Sequence, residues 1–381
     1  KVIMGKSTMS QGQCGGFMTQ RISIQWVGDI ALMGEYASPS FRPKLLDLAK
    51  WLSDHVEATD LRLVNWEAPL LGTEGLHPTK RVRLHTDEAT ARNLLPFRIE
   101  VALLANNHAV DCLKTGLDKT ITCLNDVGIA TVGAGRTARE AEQPLHLEIR
   151  EVPITILNYV DEITIPTIPA VAGVYLNPLD PNRVIDEVRR WSRENRVVLV
   201  NFHWGIEFTP CPTPEHRAFA RRVVEAGASV VAGHHPHRLQ GHEQWKEGHI
   251  FYSLGNFLFG QPSQRNRWPR ICRPTAVGTC EIEDRRVVKV SVQHFTSRHC
   301  LLEPGDERRS EKLQRNLNRV LEFSDKRYER YWSRVLTVLH FIVWHRLFIR
   351  TRGWKGLFKL EWAHYRSYLM LIARYLGYRH A

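Results

Sequence analysis

Apolar and polar positions follow two alternating regimes along this chain. Short β-branched runs at Ile22–Val27, Leu61–Val64, Ile99–Leu104, Ile129–Val132, Ile154–Leu157, Val197–Phe202, Val230–Ala232 and Ile250–Ser253 end at polar or glycine positions. Apolar runs of about 4–6 residues with such boundaries predict strands buried on both faces. Between them, Pro43–Glu57, Leu113–Val127, Pro181–Glu194 and Pro214–Ala226 repeat apolar residues at helical spacing. Three of these open on proline at a first-turn position, where the missing N–H leaves no bond unmade. Strands alternating with helices predict an α/β domain with parallel or mixed sheets. Ala276–Ile282 and Val287–Phe295, joined by Glu283–Arg286, alternate with period two and predict a closing hairpin.

The pattern changes near Pro304–Asp306. Beyond it, helical spacing is predicted over Glu307–Leu339 and Trp354–Leu376, with an apolar piece, Val335–Ile349, between them. This divides the chain into a leader (1–17), a main α/β domain (18–305) and a basic aromatic helical tail (306–381). The leader has no signal-peptide apolar core and is expected to be disordered, or an extension ahead of the start at Met18. Ser263–Pro274 is a basic, proline-containing loop, expected to be a lid or a disordered connection.

Composition narrows the classes further. With 43% hydrophobic and 24% charged residues, disordered, collagen-like and disulfide-scaffold proteins are excluded. Seven cysteines without a C-x-x-C pair argue against a zinc ribbon and a secreted disulfide framework, so a reducing, cytoplasmic location is expected. Of the formal net charge of +12, all falls from Arg308 onward, where 17 Lys and Arg face 5 Asp and Glu; the body carries 35 of each sign. Val335–Ile349 is shorter than the roughly 20 residues that span a bilayer, and His340, His345 and Arg346 interrupt it. Cations interleaved with Trp332, Trp344, Trp354 and Trp362 suit a helix lying on an anionic membrane surface, here the inner face of the cell membrane. A helical hairpin packed on the body with a solvated basic face fits the same pattern. Nucleic-acid binding would use such charge too, but no recognition motif accompanies it.

The polar residues that carry chemistry fall just after the buried strands, where an open α/β sheet presents its site. They are Gly28-Asp29; Asn65-Trp66-Glu67; Asn106-Asn107-His108 with Asp111; His203-Trp204-Gly205 with Glu207; Gly233-His234-His235-Pro236-His237; and Ser253-Leu254-Gly255-Asn256-Phe257. Carboxylate, amide and imidazole together suit Mn, Fe or Zn better than Mg or Ca. Individually each cluster also reads as a turn or a satisfied core residue, but three imidazoles within four positions have little structural use. Asp111 and Glu207 are candidates to orient imidazoles or are plain surface carboxylates. Arg81 and Arg83 are anion receivers or a solvated strand edge.

The ordered series GD, N-x-E, NNH, HWG-x-E, GHHPH and SLGNF resembles the CapA capsule-synthesis family of poly-γ-glutamate biosynthesis, itself similar to the calcineurin-like metallophosphoesterases. The resemblance runs from Ile22 to Phe259, about two thirds of the chain. It implies a metallophosphoesterase-like layered α/β/β/α sandwich, to which the tail adds a C-terminal helical appendage, with one or two divalent metals. It further implies Asp29 as a ligand of the first metal, Glu67 as the bridging carboxylate and Asn107 as an amide ligand. His203, His235 and His237 complete the pair, with His234 a competing assignment, and His108 is the transition-state partner. The implied activity is metal-dependent phosphoester hydrolysis in bacterial capsule, surface-polymer or envelope metabolism. Its substrate would be a phosphorylated or polyanionic small molecule or polymer. The alternative is a non-catalytic assembly scaffold on the same fold. Two departures from the metallophosphoesterase pattern stand out: Asp29 is followed by Ile30 and Ala31 rather than by an Asp-x-His imidazole, and the bridging position holds Glu67 instead of Asp.

Overall fold

The computed structural model describes residues 21–338 apart from 57, 81, 165–172, 195, 262–267 and 299. The leader, Arg81, the first part of the Ser263–Pro274 loop and the tail beyond 338, including Phe341, Trp344, Phe348, Trp354 and Trp362, lie outside the described residues.

Two sheets carry the fold. In the first, the strand order is Leu301–Pro304, Arg286–Arg298, Pro274–Glu283, Arg21–Ala31, Leu61–Trp66, Val101–Leu103 and Ala130–Val132. The last four run parallel, while the hairpin strand Pro274–Glu283 pairs antiparallel with Arg21–Ala31. Asn256–Phe259 adds itself parallel to the end of Arg21–Ala31, setting Asn256 beside Asp29. The second sheet runs His242–Trp245, Gly248–Phe251, Val230–His234, Val197–His203, Val152–Val160, Leu145–Ile149.

Alternation along each strand explains the layering, because successive side chains point to opposite faces. Ile22, Ile24 and Trp26 of the first sheet meet Ile154, Ile156, Leu199 and Val230 of the second in a core between the sheets. On the outer face of the first sheet, Val27, Val64 and Leu104 pack on Leu45 and Leu48 of the helix Arg42–His55 and on Leu117 and Leu124 of Leu113–Asp126. On the far face of the second, Val198, Val200 and Val231 pack on Val184 and Val188 of Pro181–Arg193 and on Phe219 and Val223 of Pro214–Glu225. The result is the expected α/β/β/α sandwich. Both of the latter helices are capped as their sequences suggest: Asp180 accepts from Asn182 and Arg183 N–H, and Thr213 from His216 N–H.

Two buried polar bonds tie the sheets together close to the site. Trp26 Nε1 donates to Asn201 Oδ1 at 2.9 Å, and Ala105 N donates to Asn158 Oδ1 at 2.8 Å. Each crosses from one sheet to the other beside a strand end that carries site residues.

Past Pro304 the helical stretch predicted over Glu307–Leu339 divides in two. Two helices form, Glu307–Leu321 and Asp325–Val338, and Tyr328 N bonds Ser324 O where the second begins. Both pack on the body: Leu317, Leu321, Tyr328 and Trp332 are buried, and Tyr328 Oη donates to Pro212 O at 2.8 Å. Trp332, expected among the indoles at a membrane boundary, is instead fully buried in the core over the second sheet. Among the described residues no helix is long and apolar enough to cross a membrane, and the six cysteines described are buried and unpaired.

Candidate metal centre

All the site-bearing clusters sit at strand ends of the two sheets, and backbone crowding explains their glycines. A Cβ on Gly28 would stand 1.9 Å from Gly255 O, and one on Gly233 would stand 2.2 Å from Tyr252 O. Only glycine lets these chains cross, and the crossing at Gly28 places Asp29 N 2.8 Å from Gly255 O. His235 and His237 take left-handed backbone angles, φ 96° and 53°. Such strain in non-glycine residues is characteristic of functional sites held by their surroundings.

Asp29, Glu67 and His237 bring one donor atom each to within 4.8 Å of one another, all buried. His237 Nδ1 lies 3.3 Å from Asp29 Oδ2, and Nε2 lies 3.8 Å from Glu67 Oε2. Beside this trio, His203 Nε2 faces Asn107 Oδ1 at 3.0 Å and His235 Nδ1 at 3.1 Å. His203 Nδ1 is 4.0 Å from Glu67 Oε1, while Asn107 and His235 meet the other nitrogen of that ring, Nε2.

Asn65 joins them. Its amide Nδ2 donates to Asp29 Oδ1 at 2.9 Å and Glu67 Oε1 at 2.8 Å, and meets His203 Nδ1 at 3.3 Å. Asn65 was visible in the sequence only as a neighbour of Glu67; the period of two in a strand, which sends both side chains the same way, is the signal for it.

His108 Nδ1 lies 2.6 Å from Asp111 Oδ2, while Nε2 faces Glu67 Oε2 at 4.0 Å. Because an ionised carboxylate only accepts, Nδ1 carries the hydrogen and Nε2 presents a lone pair toward the centre. Asp111 also accepts from Leu84 N at 2.6 Å and from Lys80 Nζ. His234 approaches from behind: its Nδ1 is 3.1 Å from Asp29 Oδ1, so it braces Asp29, whereas His235 and His237 lie among the donor atoms. Asn256 Oδ1 meets His237 Nδ1 at 2.9 Å. Glu207 is partly exposed and bears electrostatically on His237 and Lys80. Arg83 is exposed, donates to His77 O at 3.1 Å, and lines a cavity of about 550 Å³ with Met33, Leu84, His85 and Gln261.

The electrostatics are those of a crowded, dry site. Burial alone would raise Asp29, but the bonds from His234 and His237 hold it well below the ordinary carboxylate value. Burial drives Glu67 well above that value, opposed by His237 and reinforced by Asp29. Burial would lower His237, yet Glu67 and Asp29 push it up to about 10. His203 falls well below its ordinary value through burial and the nearby His235, and His235 falls to about 3 through burial and His237. Burial and the Lys80 cation bring His108 down to about 4.

Glu67 Oε2 is buried and has no hydrogen-bond partner among the described residues, and His234 Nε2 is in the same position. An orphaned carboxylate oxygen is costly in such a place. It fits a cation held against Glu67. The donor set of carboxylates, imidazoles and one amide oxygen is of the kind that binds divalent first-row metals.

Residues 23–261 match the family described as bacterial capsule synthesis protein PGA_cap. The chain is 29% identical over 256 residues to the capsule biosynthesis protein CapA of Bacillus anthracis, covering 65% of this chain and 62% of that protein. It is likewise 29% identical over 249 residues to the PGA biosynthesis protein CapA of Bacillus subtilis (strain 168), covering 65% of each. The match therefore spans a little under two thirds of these curated relatives. Among solved structures, a 5'-nucleotidase precursor from Thermus thermophilus aligns over 78% of this chain and 58% of its own, with 13% identity and a TM-score of 0.43. On the family match, which covers well over half of its length, the chain belongs to the bacterial capsule synthesis protein PGA_cap family.

Proposed function

We propose that this chain is a metal-dependent phosphoester hydrolase acting in bacterial capsule, surface-polymer or envelope metabolism. The observation that carries the proposal is the orphaned Glu67 Oε2 beside Asp29 and His237, with Asn107, His203 and His235 forming a second group of donors nearby. Those residues would hold one or two divalent metals, Mn, Fe or Zn. When bound, such metals supply charge neutralisation and a water acidic enough to be a nucleophile at neutral pH.

The chain's own groups do the rest. His108, held by Asp111, presents Nε2 to the centre, where it can accept a proton from an attacking water or, once protonated, pass one to a leaving oxygen. The glycine crossing at Gly28 and the bond from Asn65 fix Asp29, so the donors need no rearrangement to converge. Arg83, exposed beside Leu84, would receive the rest of an anionic substrate, phosphorylated or polyanionic.

A second function, a non-catalytic assembly scaffold, is favoured by one feature. Ala31, where a metallophosphoesterase imidazole would stand, is buried against Leu84 and Phe259, which leaves Asp29, Glu67 and His237 as the first donor set. A panel of phosphate mono- and diesters, assayed after chelation and Mn²⁺ return, separates the two. Hydrolysis by the native chain, lost in Glu67→Gln and His108→Ala, supports the enzyme. No turnover by a native chain that binds Mn²⁺ supports the scaffold.

A further inference from the structure

Lys80 lies in a segment of low apolar content with no motif of its own, yet its side chain is 12% exposed and reaches the reaction centre. Its ammonium donates to Asn107 O at 2.5 Å and to Asp111 Oδ1, and stands 3.2 Å from His108 Nδ1. Asn107, His108 and Asp111 belong to one turn, and that turn supplies both the Asn107 amide oxygen facing His203 and the His108 imidazole. The same two segments are laced further: His77 N donates to Asp111 O at 2.8 Å, and Leu84 N donates to Asp111 Oδ2 at 2.6 Å. The Lys80 backbone is itself held, with its N–H on His77 Nδ1 at 3.1 Å.

We propose that Lys80 is a positioning residue of the centre: its ammonium ties the Asn107 carbonyl to the Asp111 carboxylate, fixing at once the amide oxygen that faces His203 and the ring that faces Glu67. The inference rests on the metal-centre proposal above. Since the Asp111 carboxylate is fully buried, the cation beside it also supplies the charge that lets it remain ionised and hold the His108 Nδ1 hydrogen. Lys80 touches neither Asp29 nor His237 in the bonds just described, so its influence should fall on the Asn107 donor set and leave the Asp29 set in place.

The test is Mn²⁺ binding by titration calorimetry, with Lys80→Met and Lys80→Gln compared with the native chain and folding checked by thermal melting. Groups that orient ligands from behind change metal affinity by about 10–100-fold when removed. Lys80→Met is expected to weaken one class of Mn²⁺ site by that factor and leave the other within about twofold. Lys80→Gln, which keeps a donor for Asn107 O without the charge, is expected to fall between. A purely structural lysine would lower the melting temperature without moving Mn²⁺ affinity, and that result in a folded variant overturns the proposal. If Lys80→Met does not fold, native-like Mn²⁺ affinity in Lys80→Gln overturns it instead. A native chain that binds no Mn²⁺ fails the metal-centre proposal itself, and the positioning role falls with it; native binding unaltered in both variants fails the Lys80 inference alone.

Discussion

Asn65→Asp swaps one amide nitrogen for oxygen and changes almost nothing else in shape, which makes it the sharpest perturbation of the metal-free centre. In the native chain Asn65 Nδ2 lies 2.9 Å from Asp29 Oδ1 and 2.8 Å from Glu67 Oε1, holding two buried carboxylates together with one donor group. The substitution removes both bonds and sets a third carboxylate against the first two. Hydrogen bonds to charged groups contribute about 1.5–3 kcal/mol each, so two amount to about 3–6 kcal/mol in metal-free protein. That corresponds to a fall in Tm on the order of 10 °C. The sign with pH follows from the new group. Among Asp29 and Glu67 its folded pKa is raised, so its destabilising effect is absent below the unfolded value near 3.9 and grows as pH rises above it. Thermal unfolding in EDTA should therefore show a gap between variant and native chain that widens from pH 5 to pH 8. Added Mn²⁺ should narrow it, because a cation replaces the lost donor. Equal stability at pH 8 in EDTA, or a gap that shrinks with rising pH, would refute the assignment of Asn65 as the clamp between the carboxylates.

Other consequences are as direct. His237 is pushed up to about 10, so at pH 7.5 a metal taking that imidazole must displace its proton; calorimetry in buffers of different ionisation enthalpy should report proton release, and none would contradict the ligand role. Trp332→Ala should cost about 3–5 kcal/mol, since the indole is fully buried over the second sheet; an unchanged melt would mean the last two helices are not part of the cooperative fold. Residues 339–381 carry eight Lys and Arg against one Glu, and full-length chain should co-sediment with anionic vesicles at low salt but not at 1 M, whereas a chain ending at Val338 should not bind at either. Equal binding by both chains would move the attraction to the body.

Most of the sheet framework is legible in the sequence because buried parallel strands are continuous apolar runs, and Val197–His203 and Val230–His234 are found almost to the residue. Leu145–Ile149 and His242–Trp245 escape, being short edge strands whose polar outward positions break the apolar run. The break at Ser324 escapes because no proline or glycine marks it; burial of Tyr328 and Trp332 against the body decides the second helix. In the site, the metal-type donors announce themselves by residue class at strand ends. Asn65 stands in the N-x-E cluster but its clamping of two carboxylates does not show there, and Lys80 has no such placement, since an ammonium that acts on neighbouring side chains leaves no spacing of its own.

The central claim is that Asp29, Glu67 and His237 hold metal, with Asn107, His203 and His235 a second group of donors beside them. Anomalous scattering from crystals of Zn²⁺-loaded chain tests it most directly. The account predicts a peak at about 2.0–2.2 Å from donor atoms of Asp29, Glu67 and His237, and, where the second set is filled, another at that distance from Asn107, His203 and His235. A peak elsewhere, or none at these residues in protein shown to be folded and metal-saturated, would contradict it.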